Sequence, residues 1–212
     1  MESNYALQPA GPPRRNAPDQ ARRVLIINGN PRPGSFTDAL CAAYADGAAA
    51  AGATVKHCQV RDIEFDPTLA RGYHQRTTLE PGLISLMDDL RESDHLVLAF
   101  PVWWGQVPAP LKGLLDRVLL PGFAFTKHED DPWWDAHLKG RSARVIHTLD
   151  QPAWFYRLRF GAPTKRSIGQ MTLGFVGYKP VRHTLIGPLR KSTVELRAKK
   201  LARITALGRK LL

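Results

Sequence analysis

Cysteine is scarce in this chain of 212 residues: Cys41 and Cys58 are the only two, and they are not in a CxxC spacing. That argues against a thiol-based metal or redox motif, and no metal site is expected. Two buried reduced thiols are expected instead, which suits a cytoplasmic protein. No apolar run approaches the ~20 residues needed to span a bilayer. The first twenty residues lack the apolar core of a secretory signal and are rich in Pro, Ala and Arg. Residues 1–20 are therefore expected to be a disordered lead-in, and residues 21–212 a single domain. Acid is nearly absent from one end. Residues 151–212 hold 14 of the 30 Lys and Arg but only one of the 19 Asp and Glu, Glu195. A basic third of this kind suits a weak contact with an anionic membrane surface, an acidic partner or a phosphorylated cosubstrate. Aromatics able to stack bases are confined to Trp154, Phe155, Tyr156 and Phe160, so specific nucleic-acid binding is not expected.

Two common nucleotide motifs are missing from the stretch that most resembles them. Val24 to Ile27 form an unbroken apolar run, expected to be a strand buried on both faces. Asn28 to Ser35 supply the Asn, Gly and Pro that turn the chain, and from Phe36 the sequence is alanine-rich and helical. Ser35 or Thr37 can cap that helix. A strand, a small-residue loop and a helix N-terminus together make an anion site, because free N–H groups and the helix dipole point into the loop. Gly29 and Gly34 have the spacing of a triphosphate-binding loop, but Ser35 and Phe36 stand where Lys and Ser or Thr are needed. The dinucleotide fingerprint fails at Asn28 and Pro31. Hydroxyls at Ser35 and Thr37, backbone amides and Arg32 suit a phosphate monoester.

The rest of the chain alternates strands and helices. Strands are expected at Thr54–Val60, His95–Phe100, Arg144–Thr148 and Val181–Ile186, and helices at Thr37–Ala51, Pro81–Ser93, from Pro108, around Ile168–Phe175, and after Ser192 as the cap. Residues 121–139 and 149–163 are expected to be irregular. This alternation predicts an α/β three-layer sandwich with a five-stranded parallel sheet in the flavodoxin-like order 2-1-3-4-5. Loops Asn28–Thr37, Pro101–Gln106 and Thr148–Tyr156 would then meet at the carboxyl ends of the strands. A phosphate loop beside an aromatic loop calls for a flat phosphorylated ligand, and flavin mononucleotide meets both demands. Backbone N–H groups from Trp103 to Gln106 are expected at the ring's polar edge. One of Trp103 and Trp104 is expected to face the ligand and the other to pack. His147 is expected to be a satisfied interior residue.

These residues carry a resemblance. Leu25–Leu40, Phe100–Val118 and Phe123-Ala-Phe-Thr126 make the chain similar to the flavodoxin-like NAD(P)H:quinone oxidoreductases, a group with DT-diaphorases, modulators of drug activity and ancillary subunits of potassium-efflux systems. The resemblance implies phosphate or pyrophosphate contacts at Asn30, Ser35, Phe36 and Thr37, and ring contacts at Pro101, Val102, Trp103, Trp104 and Gly105. The family's third loop reads Thr-Thr-Gly-Gly. Here it reads Thr148-Leu-Asp-Gln151, so Thr148 carries over and the glycines do not. The implied activity is ping-pong hydride transfer from NAD(P)H through a bound flavin, FMN or else FAD, to a quinone or similar acceptor, in a homodimer. Tyr156 is the residue expected to donate a proton or hydrogen bond to the acceptor. A flavodoxin-type electron carrier and a flavin-binding regulatory subunit of a membrane transporter are the alternatives.

Overall fold

The computed structural model describes residues 7–12, 21–73, 75 and 77–211. Five parallel strands form the centre: β1 (Arg23–Asn28), β2 (Thr54–Gln59), β3 (His95–Pro101), β6 (Ser142–Thr148) and β7 (Val181–Ile186), in the order β2-β1-β3-β6-β7. Setting aside a small antiparallel hairpin, β4 (Phe125–Lys127) with β5 (Trp134–Ala136), this is the expected order. The sequence period of two divides the core. Leu25, Ile27, Leu96, Leu98, Phe100 and Val145 face α2 (Pro81–Glu92) and α3 (Ala109–Val118). Val24, Ile26, Val97, Ala99 and Ile146 face α1 (Phe36–Ala50) and α5 (Val194–Arg209). Unbroken apolar runs therefore read correctly as strands covered on both sides.

Helices α1 and α5 cross at two glycines. A Cβ on Gly47 would lie 2.1 Å from the Thr205 carbonyl oxygen, and one on Gly208 would lie 2.2 Å from that of Tyr44. No side chain fits at either position, so the helices touch through their backbones. This crossing fixes α1 against the sheet, and with it the loop at its N-terminus.

Several expectations need correcting. Residues 7–12 of the expected lead-in are not loose. The Ala10 N–H donates to the Phe123 carbonyl, and the buried Arg141 donates to the carbonyls of Gly11, Arg91 and Ser93. Residues 1–6 and 13–20 lie outside the described residues. The loop expected over 149–163 contains a helix, α4 (Ala153–Phe160), closed by Gly161 in the left-handed region. The helix expected near Ile168–Phe175 is a π-helical segment, Lys165–Gly174. Thr193, not Ser192, caps α5: its side chain accepts from the Leu196 N–H at 3.2 Å. The Ser192 hydroxyl instead donates to the Leu189 carbonyl at 2.7 Å. In the irregular segment, Trp134 stacks on Phe175 with ring centroids 4.2 Å apart and donates its indole N–H to the Phe175 carbonyl, seating the hairpin on the π-helical segment. Cys41 is buried, Cys58 is partly buried, and both are free thiols pushed up to about 12 by burial. Among the described residues no helix is long and apolar enough to cross a membrane, and no three His, Cys, Asp or Glu are grouped to hold a metal.

Candidate cofactor site

The strand order reverses direction between β1 and β3, so the loops leaving their carboxyl ends diverge and open a crevice. Asn28 is level with Ala99, and Pro101 with Thr148, which puts the three expected loops at one rim.

The first loop is organised by side chains that replace the missing motif residues. The Asn28 Oδ1 accepts from the Asn30 N–H at 3.0 Å, and the Asn30 Oδ1 accepts from the Arg32 N–H at 3.0 Å. The Asn30 side-chain amide donates to the Thr37 hydroxyl at 3.2 Å. Ser35 caps α1 in a reciprocal box: its hydroxyl accepts from the Asp38 N–H, and its own N–H donates to the Asp38 carboxylate at 2.8 Å. The Ser-x-x-Asp spacing that signals this box is present in the sequence. After these bonds, the amides of Gly34, Phe36 and Thr37 have no protein partner among the described residues. They are grouped at the positive end of a 15-residue helix. Asn30, Ser35 and Thr37 are buried, Phe36 is partly buried, and Arg32 is exposed at the rim.

Asp38 would repel an anion here if it stood alone. Burial pushes its carboxyl up, but the Arg61 guanidinium, the Ser35 N–H and Asn28 together outweigh that and hold it below the usual carboxylate range. Arg61 lies 2.9 Å from the Asp38 carboxylate and also donates to the Asn30 carbonyl. Asp38 is signalled by the Ser-x-x-Asp spacing, but Arg61 escapes a reading by motif because it comes from the turn after the neighbouring strand β2. Arg61 neutralises the acid that shapes the loop, and the free amides can then accept an anion.

The second loop is a tight two-residue turn. Trp103 and Gln106 exchange backbone hydrogen bonds of 3.0 and 2.9 Å, while Trp104 and Gly105 between them have φ of 52° and 74°. Positive φ at both central positions is the geometry of a type I′ turn. Tryptophan is a poor residue for it, so the turn holds Trp104 at a cost of about 1–2 kcal/mol. The N–H groups of Trp103 and Gln106 are consumed inside the turn. Those of Trp104 and Gly105 have no partner among the described residues. Two of the four donors expected at the ring edge are thus free. Neither tryptophan fills the core: Trp103 is 48% exposed and Trp104 is 103% exposed. The expectation that one of them packs inside is overturned. Pro101 and Val102 are partly buried beneath them.

The third loop is tied to the second, with the Val102 N–H donating to the Thr148 carbonyl at 2.9 Å. Leu149, in place of the family's second threonine, turns inward against Tyr156, Ala162 and Leu185, while Asp150 and Gln151, in place of the two glycines, are exposed. Gly187 passes close to this loop: a Cβ there would lie 2.2 Å from the Gln151 carbonyl oxygen.

Tyr156 is not at the rim. It is 2% exposed, and its hydroxyl is hydrogen-bonded to the Thr164 hydroxyl at 2.9 Å. Thr164 in turn meets the His147 Nδ1 at 2.9 Å, and the His147 Nε2 meets the His183 Nδ1 at 3.0 Å. Burial, with the neighbouring His183 and Lys165, pushes the His147 imidazole down to about 3. His147 is a satisfied interior residue, as expected. Tyr156 belongs to the same interior chain, so the role expected for it as a donor to an acceptor has no geometric support. A separate cavity of ≈ 330 Å³, lined by Arg23, Lys56, Asp89 and Glu92 among others, lies at the amino ends of the strands and away from this crevice.

Comparison with known proteins follows the same lines. The chain is 27% identical over 157 residues to the ribosyldihydronicotinamide dehydrogenase (quinone) of Mus musculus, covering 64% of this chain and 66% of that one. The human protein of the same name is 30% identical over 125 residues, and the match covers 54% of it. The chain thus spans about half to two thirds of the length of these curated relatives. Among solved structures, the NAD(P)H:quinone oxidoreductase from Methanothermobacter marburgensis superposes with a TM-score of 0.76 at 24% identity, covering 91% of this chain and 98% of that one. An FMN-dependent NADH-azoreductase from Bacillus anthracis, in complex with FMN, superposes with a TM-score of 0.67 at 16% identity over 90% and 99%. At these identities the two structures bear on the fold alone. The family model described as flavodoxin-like fold, Flavodoxin_2, matches residues 22–207. With its strands in the order β2-β1-β3-β6-β7 and its three loops on one rim, the chain belongs to that flavodoxin-like family.

Proposed function

We propose that this protein is a flavin-dependent NAD(P)H oxidoreductase that reduces a quinone or a similar acceptor, with FMN as the flavin. The observation that carries the reading is a pair of unsatisfied amide clusters on one rim. Gly34, Phe36 and Thr37 stand at the mouth of α1, and Trp104 and Gly105 at the tip of a strained turn after β3. The first cluster suits a phosphate monoester and the second the polar edge of a ring. The donor set fits FMN at both ends.

When bound, FMN supplies the redox chemistry, taking two electrons from NAD(P)H and giving two to the acceptor. The chain's own contribution is placement. The α1 amides and dipole hold the phosphate, with Asn30 and Ser35 fixing the loop that presents them. The Trp104 and Gly105 N–H groups favour negative charge at the ring edge. Trp103 and Trp104 supply an exposed apolar wall, and the Val102–Thr148 bond keeps the second and third loops together. No side chain on this rim is needed as an acid or base, which agrees with Tyr156 being turned inward.

The resemblance to quinone oxidoreductases supports a homodimer, in which a second copy would meet exposed aromatics such as Trp104 and Trp133. Steady-state oxidation of NADH and NADPH, with and without a quinone, tests the activity. Parallel double-reciprocal lines with quinone are expected. A flavin-loaded protein that oxidises neither dinucleotide would leave only the carrier or regulatory alternatives.

A further inference from the structure

A second concavity lies beside the aromatic turn. A cavity of ≈ 460 Å³ is lined by Arg157, Gly161, Ala162, Lys165, Arg166 and Gln170. Arg157, Lys165 and Arg166 are all exposed there. Among the described residues no acid lines the cavity, and the only acid in residues 151–212, Glu195, lies in the first turn of α5. Three like charges with no carboxylate among them concentrate anions locally.

Its position is fixed by the backbone. After α4, Gly161 and Ala162 have φ of 66° and 48°. Alanine rarely adopts that region, and here Ala162 is held in it by burial against Leu149 and Tyr156. The reversal brings Lys165 and Arg166 back beside Arg157. The Thr164 N–H and hydroxyl are both bonded to the Tyr156 hydroxyl, which locks the returning chain to α4. Between the reversal and the π-helical segment, Pro163 lies beside the aromatic turn: a Cβ on Gly105 would make ordinary van der Waals contact with its ring, at 3.6 Å. The basic cavity therefore begins where the ring-edge turn ends.

We infer that this cavity takes the 2′-phosphate of NADPH and makes NADPH the preferred donor over NADH. The inference rests on the reductase reading above and names its electron donor. The two dinucleotides differ only in that phosphate monoester, so any preference has to come from donors away from the reacting ring. Two arginines and a lysine give the charge and the planar donor geometry that phosphate needs.

The test is titration of the protein with 2′,5′-ADP and with 5′-AMP, by calorimetry, on the wild type and on a variant carrying Arg157→Gln and Arg166→Gln. Because both arginines are exposed, the fold is expected to survive, and circular dichroism checks this. The wild type is expected to bind 2′,5′-ADP at least tenfold tighter than 5′-AMP, and the variant to lose that difference. In turnover with a neutral quinone, the variant's kcat/KM is expected to fall at least tenfold more for NADPH than for NADH. Equal binding of the two nucleotides by the wild type overturns the inference. So does an equal fall for both donors, or a fall confined to sulfonated or carboxylated acceptors, which would assign the cavity to the acceptor. A protein that discriminates the nucleotides but holds no flavin sinks the reductase reading, and with it NADPH as donor, and leaves the 2′-phosphate site standing. A flavin-loaded, active enzyme that does not discriminate sinks the inference alone.

Discussion

Asp38 and Arg61 show how much one pair of side chains decides. Asp38 builds the anion loop through the capping box, yet its charge opposes the anion the loop would hold. Arg61, 2.9 Å away, cancels that charge. Arg61→Gln should therefore leave the loop formed and weaken FMN retention by about tenfold, measured as a dissociation constant by fluorescence quenching. An unchanged constant would mean the phosphate is held elsewhere. Trp104 presents the opposite trade. Its φ of 52° suits asparagine better, and Asn-Gly is the pair most favoured in this turn. Trp104→Asn should raise stability by about 1 kcal/mol in urea unfolding while lowering flavin affinity. A loss of stability would show that the exposed indole contributes packing to the fold.

At the level of elements, the α1–α5 crossing ties the anion loop to the body of the protein. Gly208→Ala places a methyl group against the Tyr44 carbonyl and should cost about 1–3 kcal/mol of unfolding free energy. The strain falls on the helix that carries the loop, so FMN affinity should drop along with stability. A neutral effect would mean the helices can separate freely. How far the elements were legible depended on where their determinants lie. β1 and β3 are signalled by local apolar runs, and the five-strand order follows from the alternation of strands and helices. The hairpin β4–β5 has strands of three residues each and depends on Trp134 meeting Phe175, a contact 41 residues away in sequence. Local patterning carries no trace of it. The segment after Leu149 begins with Asp, Gln and Pro, which read as loop, but Pro152 sits at the N-cap of α4. Missing that helix hid the facing of its residues: Tyr156 turns inward while Trp154 and Leu158 remain exposed. The rim residues were readable for a simpler reason. Glycine, proline and hydroxyl positions at strand ends fix loop shape by themselves, whereas the cations of the α4 cavity are brought together only by the Gly161–Ala162 reversal.

For the whole molecule, buried histidines set the response to acid. His95 is enclosed between Tyr44 and Ser142, and burial together with the nearby Arg22, Arg144 and Arg182 pushes it down to about 3. His147 is held at about 3 by burial, His183 and Lys165. In the unfolded chain each titrates at an ordinary 6.5. Between these values the unfolded state binds more protons, so stability is full above about pH 6.5 and is lost as the pH falls towards 3. The slope approaches about 1.4 kcal/mol per pH unit for each histidine. Asp38 and Glu80, both held below the usual carboxylate range, add a further loss only at lower pH. Urea unfolding at pH 7 and pH 5 should therefore differ by a few kcal/mol, and His147→Gln should reduce that difference. A flat profile over this range would show that both rings are protonated in the folded protein. The charge asymmetry operates at the same scale. The acid-poor residues 151–212 supply α4, the basic cavity and α5.

The central claim is that the two amide clusters on this rim hold FMN. Its most direct test is to add FMN to the purified protein, remove unbound ligand, record the visible absorbance and then add NADPH under anaerobic conditions. One flavin per chain, with its visible band bleached by NADPH, is the predicted result. A colourless protein that takes up neither FMN nor FAD would contradict the account.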